Sequence, residues 1–121
     1  MEVLFDKPFT IILLITGLLF LLSGYILKKY PPKSINWLYG YRTRRAMKGQ
    51  EQWDFAQVLA GREMMRSGRI LLYLGLAGTL LPISDEVAVA VSLVAVMVFA
   101  FLPVVRVEAA LKKRYEGSGR K

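Results

Sequence analysis

The polar residues that could do chemistry in this 121-residue chain are concentrated in one stretch, NWLYGYRTRRAMKGQEQW, which runs from Asn36 to Trp53. The stretch combines aromatic residues and glycines with four basic side chains, and its nearby carboxylates belong to Glu51 and Asp54. The chain contains no His and no Cys, so it lacks the commonest metal ligand, the commonest general base near neutral pH and any thiol nucleophile. We therefore expect no enzyme, no metal site and no cofactor.

Two interpretations of this stretch remain open from the residues alone. In the first, the stretch folds into a cap with a site that consists of Tyr41, Arg42, Thr43 and Trp53. Arg42 would then bind a carboxylate or a carbonyl inside the cap, with Asp54 as the nearest carboxylate. In the second, the stretch is an interfacial loop that is anchored by its aromatic residues and paired with lipid through its cations. Because apolar runs flank it on both sides, we expect membrane lipids as partners and no nucleic acid.

Three apolar runs position this stretch. The first, residues 8–27, and the third, residues 87–105, contain no charged residue, and a helix of either length covers roughly the 30 Å hydrocarbon thickness of a bilayer. The middle run, residues 66–84, has only fifteen uncharged residues after Arg69, so Arg66 and Arg69 would have to snorkel toward the interface. A re-entrant segment is the alternative for the middle run. A cleaved signal peptide is the alternative for the first run, and its net negative leader, MEVLFDK, argues against it.

Net charge alternates along the chain and predicts its orientation. Residues 1–7 have a net charge of −1, residues 28–69 of +7, residues 85–86 of −2 and residues 106–121 of +4. Basic loops are retained on the cytoplasmic side of a bacterial inner membrane. We therefore expect the segment 28–65 and the basic tail 106–121 to face the cytoplasm. The amino terminus and the turn at Asp85 and Glu86 would face outward.

The spacing of small and apolar residues predicts how the helices pack. From about Gln50 the sequence EQWDFAQVLAGREMMR predicts a helix that leads into the second span, with one side formed by Trp53, Ala56, Ala60 and Met64. Small residues at close-packing intervals allow helices to approach each other, and these are the pairs Gly17 and Gly24, Gly75 and Thr79, and Ala88 and Ser92. We expect these contacts within one chain, with a homodimer as the alternative. In the tail, Glu108 and Lys112 have the spacing of a helical ion pair.

The stretch INWLYGYRTRRAMKGQEQWDFAQ resembles the signature of the SdpI family of bacterial membrane proteins. That signature has an Asn, then Gly-Tyr-Arg-Thr, a Ser-Met-Lys-Asn-like stretch, and a Trp followed by Phe-Ala-Asn. The matching positions are Asn36, Gly40, Tyr41, Arg42, Thr43, Met47, Lys48, Trp53, Phe55 and Ala56. The sequence departs from the signature at Ala46, Gly49 and Gln57, where Ser, Asn and Asn are usual.

The resemblance implies an all-α integral membrane protein with a single domain, residues 1–121, three transmembrane helices and a cytoplasmic cap between the first two. It also implies immunity to a secreted peptide toxin, relay of that toxin's presence to a cytoplasmic repressor, or both. The binding residues that we expect on this basis are Asn36, Gly40, Tyr41, Arg42, Thr43, Trp53 and Asp54. A scaffold or accessory subunit of a larger complex is one alternative. A protein that binds anionic lipid is another, and this alternative predicts that replacing Arg42, Arg44 and Arg45 by Ala abolishes lipid binding and leaves the fold intact.

Overall fold

The computed structural model describes residues 7–36 and 38–117, and over these residues the chain is all-helical, as predicted. The three long helices are α1 (Pro8–Lys29), α2 (Gln50–Ala77) and α3 (Asp85–Lys112). Shorter helical segments flank them: 3-10 turns at Ala46–Lys48 and Gly78–Leu80, and a π-helical segment at Lys113–Gly117. The predicted outer residues 1–6, the interfacial Trp37 and the end of the tail, residues 118–121, lie outside the described part.

Helix α1 confirms the first apolar run as a helix. It begins at Pro8, whose missing N–H is harmless at the first helical position. It ends with Lys28 and Lys29, which place positive charge at the negative end of the helix dipole. The following pair, Pro31 and Pro32, cannot continue the helix.

Helix α2 confirms the predicted helix that starts near Gln50 and leads into the middle apolar run. It is one continuous helix of 28 residues, so the segment predicted as the second span, residues 66–84, is its carboxyl-terminal part. The predicted span extended to residue 84, but helical structure ends at Leu80, the last residue of the 3-10 turn. The shorter helix follows from Pro82, because the residue before a proline is driven out of helical conformation.

The connection between α2 and α3 differs from the predicted turn at Asp85 and Glu86. Residues 81–84 form it, and both acidic residues lie in the first turn of α3. The hydroxyl of Ser84 caps that helix by accepting a hydrogen bond from the Val87 backbone N–H at 3.3 Å. Negative side chains are favourable at a helix amino terminus, which explains why these two residues join the helix and not the turn.

Glycines bring α1 and α2 into backbone contact. A Cβ on Gly24 would lie 2.6 Å from the Gly61 carbonyl oxygen, and one on Gly61 would lie 2.8 Å from that of Gly24. Gly17 and Gly68 repeat this reciprocal arrangement one heptad away, at 2.9 and 2.7 Å. No side chain fits at these contacts, so the paired glycines set both the spacing and the antiparallel register of the two helices. The prediction that Gly17 and Gly24 allow a close helix contact is therefore confirmed, and the contact is between α1 and α2 of one chain.

Two apolar clusters fill the space between the three helices. The cluster at the Pro8 end contains Phe9, Leu13, Leu71 and Ala88, and the cluster at the cap end contains Leu27, Ala46, Ala56, Ala60, Val107 and Leu111. Because each cluster joins the same ends of α1 and α3, those helices run in the same direction. At the end of α2, the Lys7 ammonium donates to the Thr79 and Leu81 carbonyls at 2.8 and 3.2 Å, and so satisfies backbone groups that this helix end leaves free.

Two of the helices are long and apolar enough to cross a membrane: Pro8–Lys29, and α3 with its extension, Asp85–Glu116. In its most apolar part, the first of these helices is only 28% buried inside the chain and the second only 17%. Most of their apolar surface is therefore exposed. Core helices of soluble proteins bury such surface, and membrane helices expose it to lipid. The chain is therefore a membrane-type protein with two strongly apolar helices, while α2 has charged residues along its middle.

Candidate functional site

The cap loop, residues 30–49, is held against α2 by the indole of Trp53. This side chain is fully buried, and its Nε1–H donates to the Pro32 carbonyl at 2.8 Å. Further along the loop, the Asn36 carboxamide oxygen accepts from the backbone N–H groups of Leu38 and Tyr39 at 2.9 and 2.8 Å. Asn36 thus closes a turn within the loop. Trp53 fixes the position at which the first residues of the loop contact α2.

Gly40 and Gln57 form the second attachment of the cap loop. Gly40 has a φ of +106°, and a Cβ there would lie 2.7 Å from both the Gln57 Oε1 and the Pro32 Cγ. The fully buried Gln57 side chain accepts from the Tyr41 N–H at 2.7 Å and donates to the Tyr41 carbonyl at 2.8 Å. One amide therefore satisfies both backbone groups of Tyr41, in the manner of a strand partner.

Glu108 of α3 is the carboxylate on which the loop side chains converge. Its Oε2 accepts from the hydroxyls of Tyr41 and Thr43, each at 2.6 Å. Its Oε1 accepts from the Arg45 guanidinium at 3.2 Å. Three side chains from five consecutive loop positions are thereby attached to one residue of α3, and we call this group the Glu108 cluster.

The tail extends the Glu108 cluster through a second carboxylate. Arg45 also donates to Glu116 at 3.0 Å, and Lys48 lies 3.7 Å from the same carboxylate oxygen. Tyr115 packs edge-on against Phe55 of α2, with ring centroids 5.9 Å apart. The π-helical segment is thus attached to the loop by charge and to α2 by an aromatic contact. Glu108 pairs with Arg45 across the fold and not, among the described residues, with Lys112 as its helical spacing predicted.

The electrostatics of the Glu108 cluster keep its groups in complementary states at neutral pH. Burial raises the pKa of Tyr41, and the hydrogen bond to Glu108 raises it further, so the hydroxyl remains a donor. Burial also raises the pKa of Glu108, but the hydrogen bonds from Thr43, Tyr41 and Arg45 outweigh it, and the net pKa is lowered. A charged carboxylate surrounded by donors fits a structural clasp, because charge-assisted hydrogen bonds are stronger than neutral ones.

An apolar cleft of about 550 Å³ lies beneath the Gly40 and Tyr41 segment. Helices α1 and α3 form its walls, with α2 behind, and its lining includes Phe20, Leu27, Ala60, Met64, Phe99 and Pro103. The cleft separates α1 from α3 in the half of the molecule that contains the cap. The Glu108 cluster, together with the apolar cluster at the cap end, therefore connects α3 to the rest of the chain at this end.

The structure brings some of the predicted site residues together and places others elsewhere. Gly40, Tyr41 and Thr43 meet at the Gln57 and Glu108 attachments, and Trp53 and Asn36 support the loop that contains them. Each of these five has a structural contact inside a folded cap. The first interpretation of the stretch, an ordered cap, thus describes its geometry.

The predicted role of Asp54 as the carboxylate of the cap differs from what the structure shows. Asp54 is exposed and accepts a hydrogen bond from Gln50 at 2.8 Å, on the outer side of α2. Arg45 binds the Glu108 carboxylate, and the role expected of the exposed Arg42 stays a prediction. Alternate loop positions point to opposite sides, so Tyr41, Thr43 and Arg45 share the inward side. Arg45 contacts Glu108 and Glu116, and the expectation that its replacement leaves the fold intact stays a prediction.

Sequence reasoning missed the two residues that hold the loop, Gln57 and Glu108. A signal existed for Gln57, because it lies one helical turn after Trp53 on the face with Ala56 and Ala60, where a buried amide needs partners. Glu108 offered no such signal, since its helical spacing to Lys112 suggested a local ion pair. Among the described residues, no group of three or more His, Cys, Asp or Glu side chains is placed to hold a metal ion.

Comparison with known proteins places these features in a family context. The model of the SdpI/YfhL protein family matches residues 33–106, which include the cap loop from Lys33 on, α2 and most of α3. The chain is 43% identical over 63 residues to a Bacillus subtilis (strain 168) protein named YfhL, itself uncharacterized. That alignment covers 52% of this chain and 57% of the relative, so the chain matches little more than half of the relative's length. No solved structure matches the chain significantly.

Proposed function

This chain belongs to the SdpI/YfhL protein family, and from that membership we propose that it gives immunity to a secreted peptide toxin, relays the toxin's presence to a cytoplasmic regulator, or both. The proposed role is not enzymatic. The observation on which the proposal depends is the convergence of Tyr41 and Thr43, both part of the family signature, on Glu108 of α3.

This convergence supports a relay because α3 connects the two ends of the molecule. Helix α3 begins at Asp85, directly after the connection formed by residues 81–84, which we call the outer connection, and contains Glu108 near its other end. A peptide that binds the outer connection or the apolar helices would displace α3 against α1. The cleft between those helices leaves room for such a movement, and the Glu108 cluster would pass it to the cap loop.

The proposed location is the bacterial inner membrane, with the amino terminus outside and the cap in the cytoplasm. The two strongly apolar helices support membrane insertion, and the charge of +7 over residues 28–69 supports the orientation. In this arrangement α2 also crosses the membrane, antiparallel to α1, as the second of three spans. Arg44 is exposed on the cap loop, so an Arg44→Cys chain, which has a single Cys, should react with a membrane-impermeant thiol reagent only in inverted vesicles.

The test of immunity is survival. The full chain is produced in a bacterium that is killed by peptide fractions from the culture medium of the organism that encodes it. We expect more survivors than with an empty vector, and no protection from a Gly24→Leu chain, in which α1 and α2 cannot pack. The matched control is Gly49→Ser, where a side chain meets only the end of the flexible Gln52 side chain. Unchanged killing by every fraction would contradict immunity.

The test of the relay uses the Arg44→Cys chain labelled with a dye that responds to its surroundings. Protective peptide should change the dye's emission in wild-type background and should have no effect when Glu108 is replaced by Gln. A response that is independent of Glu108 would contradict the relay. Copurification with one membrane complex, without protection and without a response, would favour an accessory subunit.

A further inference from the structure

Three arginines form a stripe on the exposed face of α2. Arg62, Arg66 and Arg69 are all exposed, and their spacing of four and three residues places them on one side of the helix. We call this stripe the arginine face. It lies opposite the side on which Ala60, Gly68 and Leu71 are buried, so it points away from α1 and α3.

The glycine contacts show how deep this arginine face lies. Gly61 is level with Gly24 and Gly68 with Gly17, so Arg66 and Arg69 lie beside the middle of α1. Gly17 is eleven residues before Lys28, or roughly 16 Å along the helix axis. If Lys28 marks the headgroup level, Arg69 lies near the centre of a hydrocarbon layer about 30 Å thick.

No other described residue compensates these charges. Within residues 7–36 and 38–117, the side chains of Arg62, Arg66 and Arg69 make no hydrogen bond and no ion pair. The neighbouring Glu63 is half-buried and pairs instead with Arg106 of α3 at 3.6 Å. The exposed residues of α1 at the same depth are apolar, among them Ile15, Leu18, Leu19 and Leu22. Charged groups at this depth are costly unless they are paired or face water.

We propose that the arginine face binds a membrane-inserted helix of another polypeptide, one with carboxylates at a matching spacing of four and three residues. Three guanidinium groups in a row are complementary to such a helix in charge and in geometry. This binding requires insertion of the chain in a membrane and does not require the proposed immunity, so it goes beyond the proposed function.

A second copy of the chain does not meet the requirement. A parallel copy that met α2 with its own α2 would place arginine against arginine. Exposed carboxylates of the described chain lie elsewhere: Glu51 and Asp54 at the cap end, and Asp85 and Glu86 at the outer end. Lipid phosphates meet it poorly as well, because they lie at the headgroup level, roughly 15 Å from the centre of the hydrocarbon layer.

The experiment measures helix association in vesicles. The full chain, labelled with a donor dye, is reconstituted in phosphatidylcholine with an acceptor-labelled synthetic helix of 22 Leu and Ala residues. The helix has three Glu at positions that match the arginine face, and a control helix has Gln at the same positions. Energy transfer at pH 7.5 should indicate about tenfold tighter association with the Glu helix.

A triple variant identifies the partner surface. Arg62→Gln, Arg66→Gln and Arg69→Gln together should abolish the preference for Glu over Gln, and circular dichroism should show unchanged helix content, since these side chains are exposed. The matched control replaces three exposed cations of the cap and tail by Gln, namely Lys33, Arg44 and Lys112, and should keep the preference.

Three outcomes would overturn the proposal. The first is equal association of the Glu and Gln helices with the wild-type chain. The second is an equal loss of preference in the arginine-face variant and the matched control, which would indicate a general charge effect. The third is loss of the preference when phosphatidylglycerol replaces part of the phosphatidylcholine, which would assign the arginine face to anionic lipid. An Arg66→Glu chain that gains preference for a helix with Lys at the matching position would provide independent support.

Discussion

The hydroxyl of Tyr41 donates a hydrogen bond of 2.6 Å to the carboxylate of Glu108, a residue 67 positions further along the chain. This contact joins the family signature to the last apolar helix. Thr43 binds the same oxygen at the same distance, and Arg45 binds the other. Two residues of the signature, Tyr41 and Thr43, therefore donate hydrogen bonds to a carboxylate that is distant in sequence.

Replacing Tyr41 by Phe should destabilise the chain by roughly 1.5 kcal/mol, the lower end for a hydrogen bond to a charged group, because Tyr41 is only half-buried. Thermal unfolding in detergent measures this loss. In a Glu108→Gln background the same replacement should cost clearly less, since the charged acceptor is absent. The control is Tyr73→Phe, whose hydroxyl is on an exposed side chain. Equal costs in both backgrounds would show that the two residues are not coupled.

Replacing Gln57 by Leu should cost about 2 to 3 kcal/mol, because the N–H and the carbonyl of Tyr41 both lose their buried partner. Replacing it by Asn, the usual residue of the family signature, should have an intermediate cost, since the shorter amide cannot reach both groups without movement of the loop. Unfolding by denaturant provides the values. Gln52→Leu, half-buried on the same helix, serves as the control and should change stability by less than about 0.5 kcal/mol.

Acid should loosen the cap through Glu108. Because its pKa is lower in the folded chain than in the unfolded chain, the unfolded state binds the proton more tightly. The contribution to stability is complete above the ordinary carboxyl pKa of 4.5 and is lost as the pH falls through the lower folded-state value. Hydrogen exchange of the Tyr41 and Ala46 amides from pH 6 to 3, corrected for intrinsic rates, measures the loss. A Glu108→Gln chain should have less protection at pH 6 and a smaller change, and equal pH profiles would contradict this assignment.

Replacing Gly61 by Ala should destabilise the chain by about 1 to 3 kcal/mol, because its Cβ would meet the backbone of α1, at 2.7 Å from Lys28 N and 2.8 Å from Gly24 O. Backbone atoms cannot rotate away, so α1 and α2 would have to separate. Thermal unfolding and the yield of folded protein in membranes both report this. Gly49→Ser is the matched control, since its Cβ would meet only a flexible side chain and its hydroxyl can cap α2. Equal effects at the two positions would contradict the close-contact argument.

Local properties of the chain could be predicted from the sequence. The apolar runs determine α1 and α3. The periodicity after Gln50 determines a helix that begins there and continues into the middle apolar run as α2. Gly40, with its φ of +106°, has a backbone geometry that glycine adopts more readily than other residues. Each of these features depends on residues within a few turns of one another, which is the range over which helix propensity and turn chemistry act.

Tertiary structure alone decided which groups form the site. The central carboxylate of the cap is Glu108 and not Asp54, and Arg45 binds it. The depth of Arg66 on α2 was likewise set by the glycine contacts with α1. These outcomes depend on the register and rotation of helices that are distant in sequence. A shift of one residue in a helix turns a side chain by about 100°, so the packing of the helices against one another determined which polar groups meet.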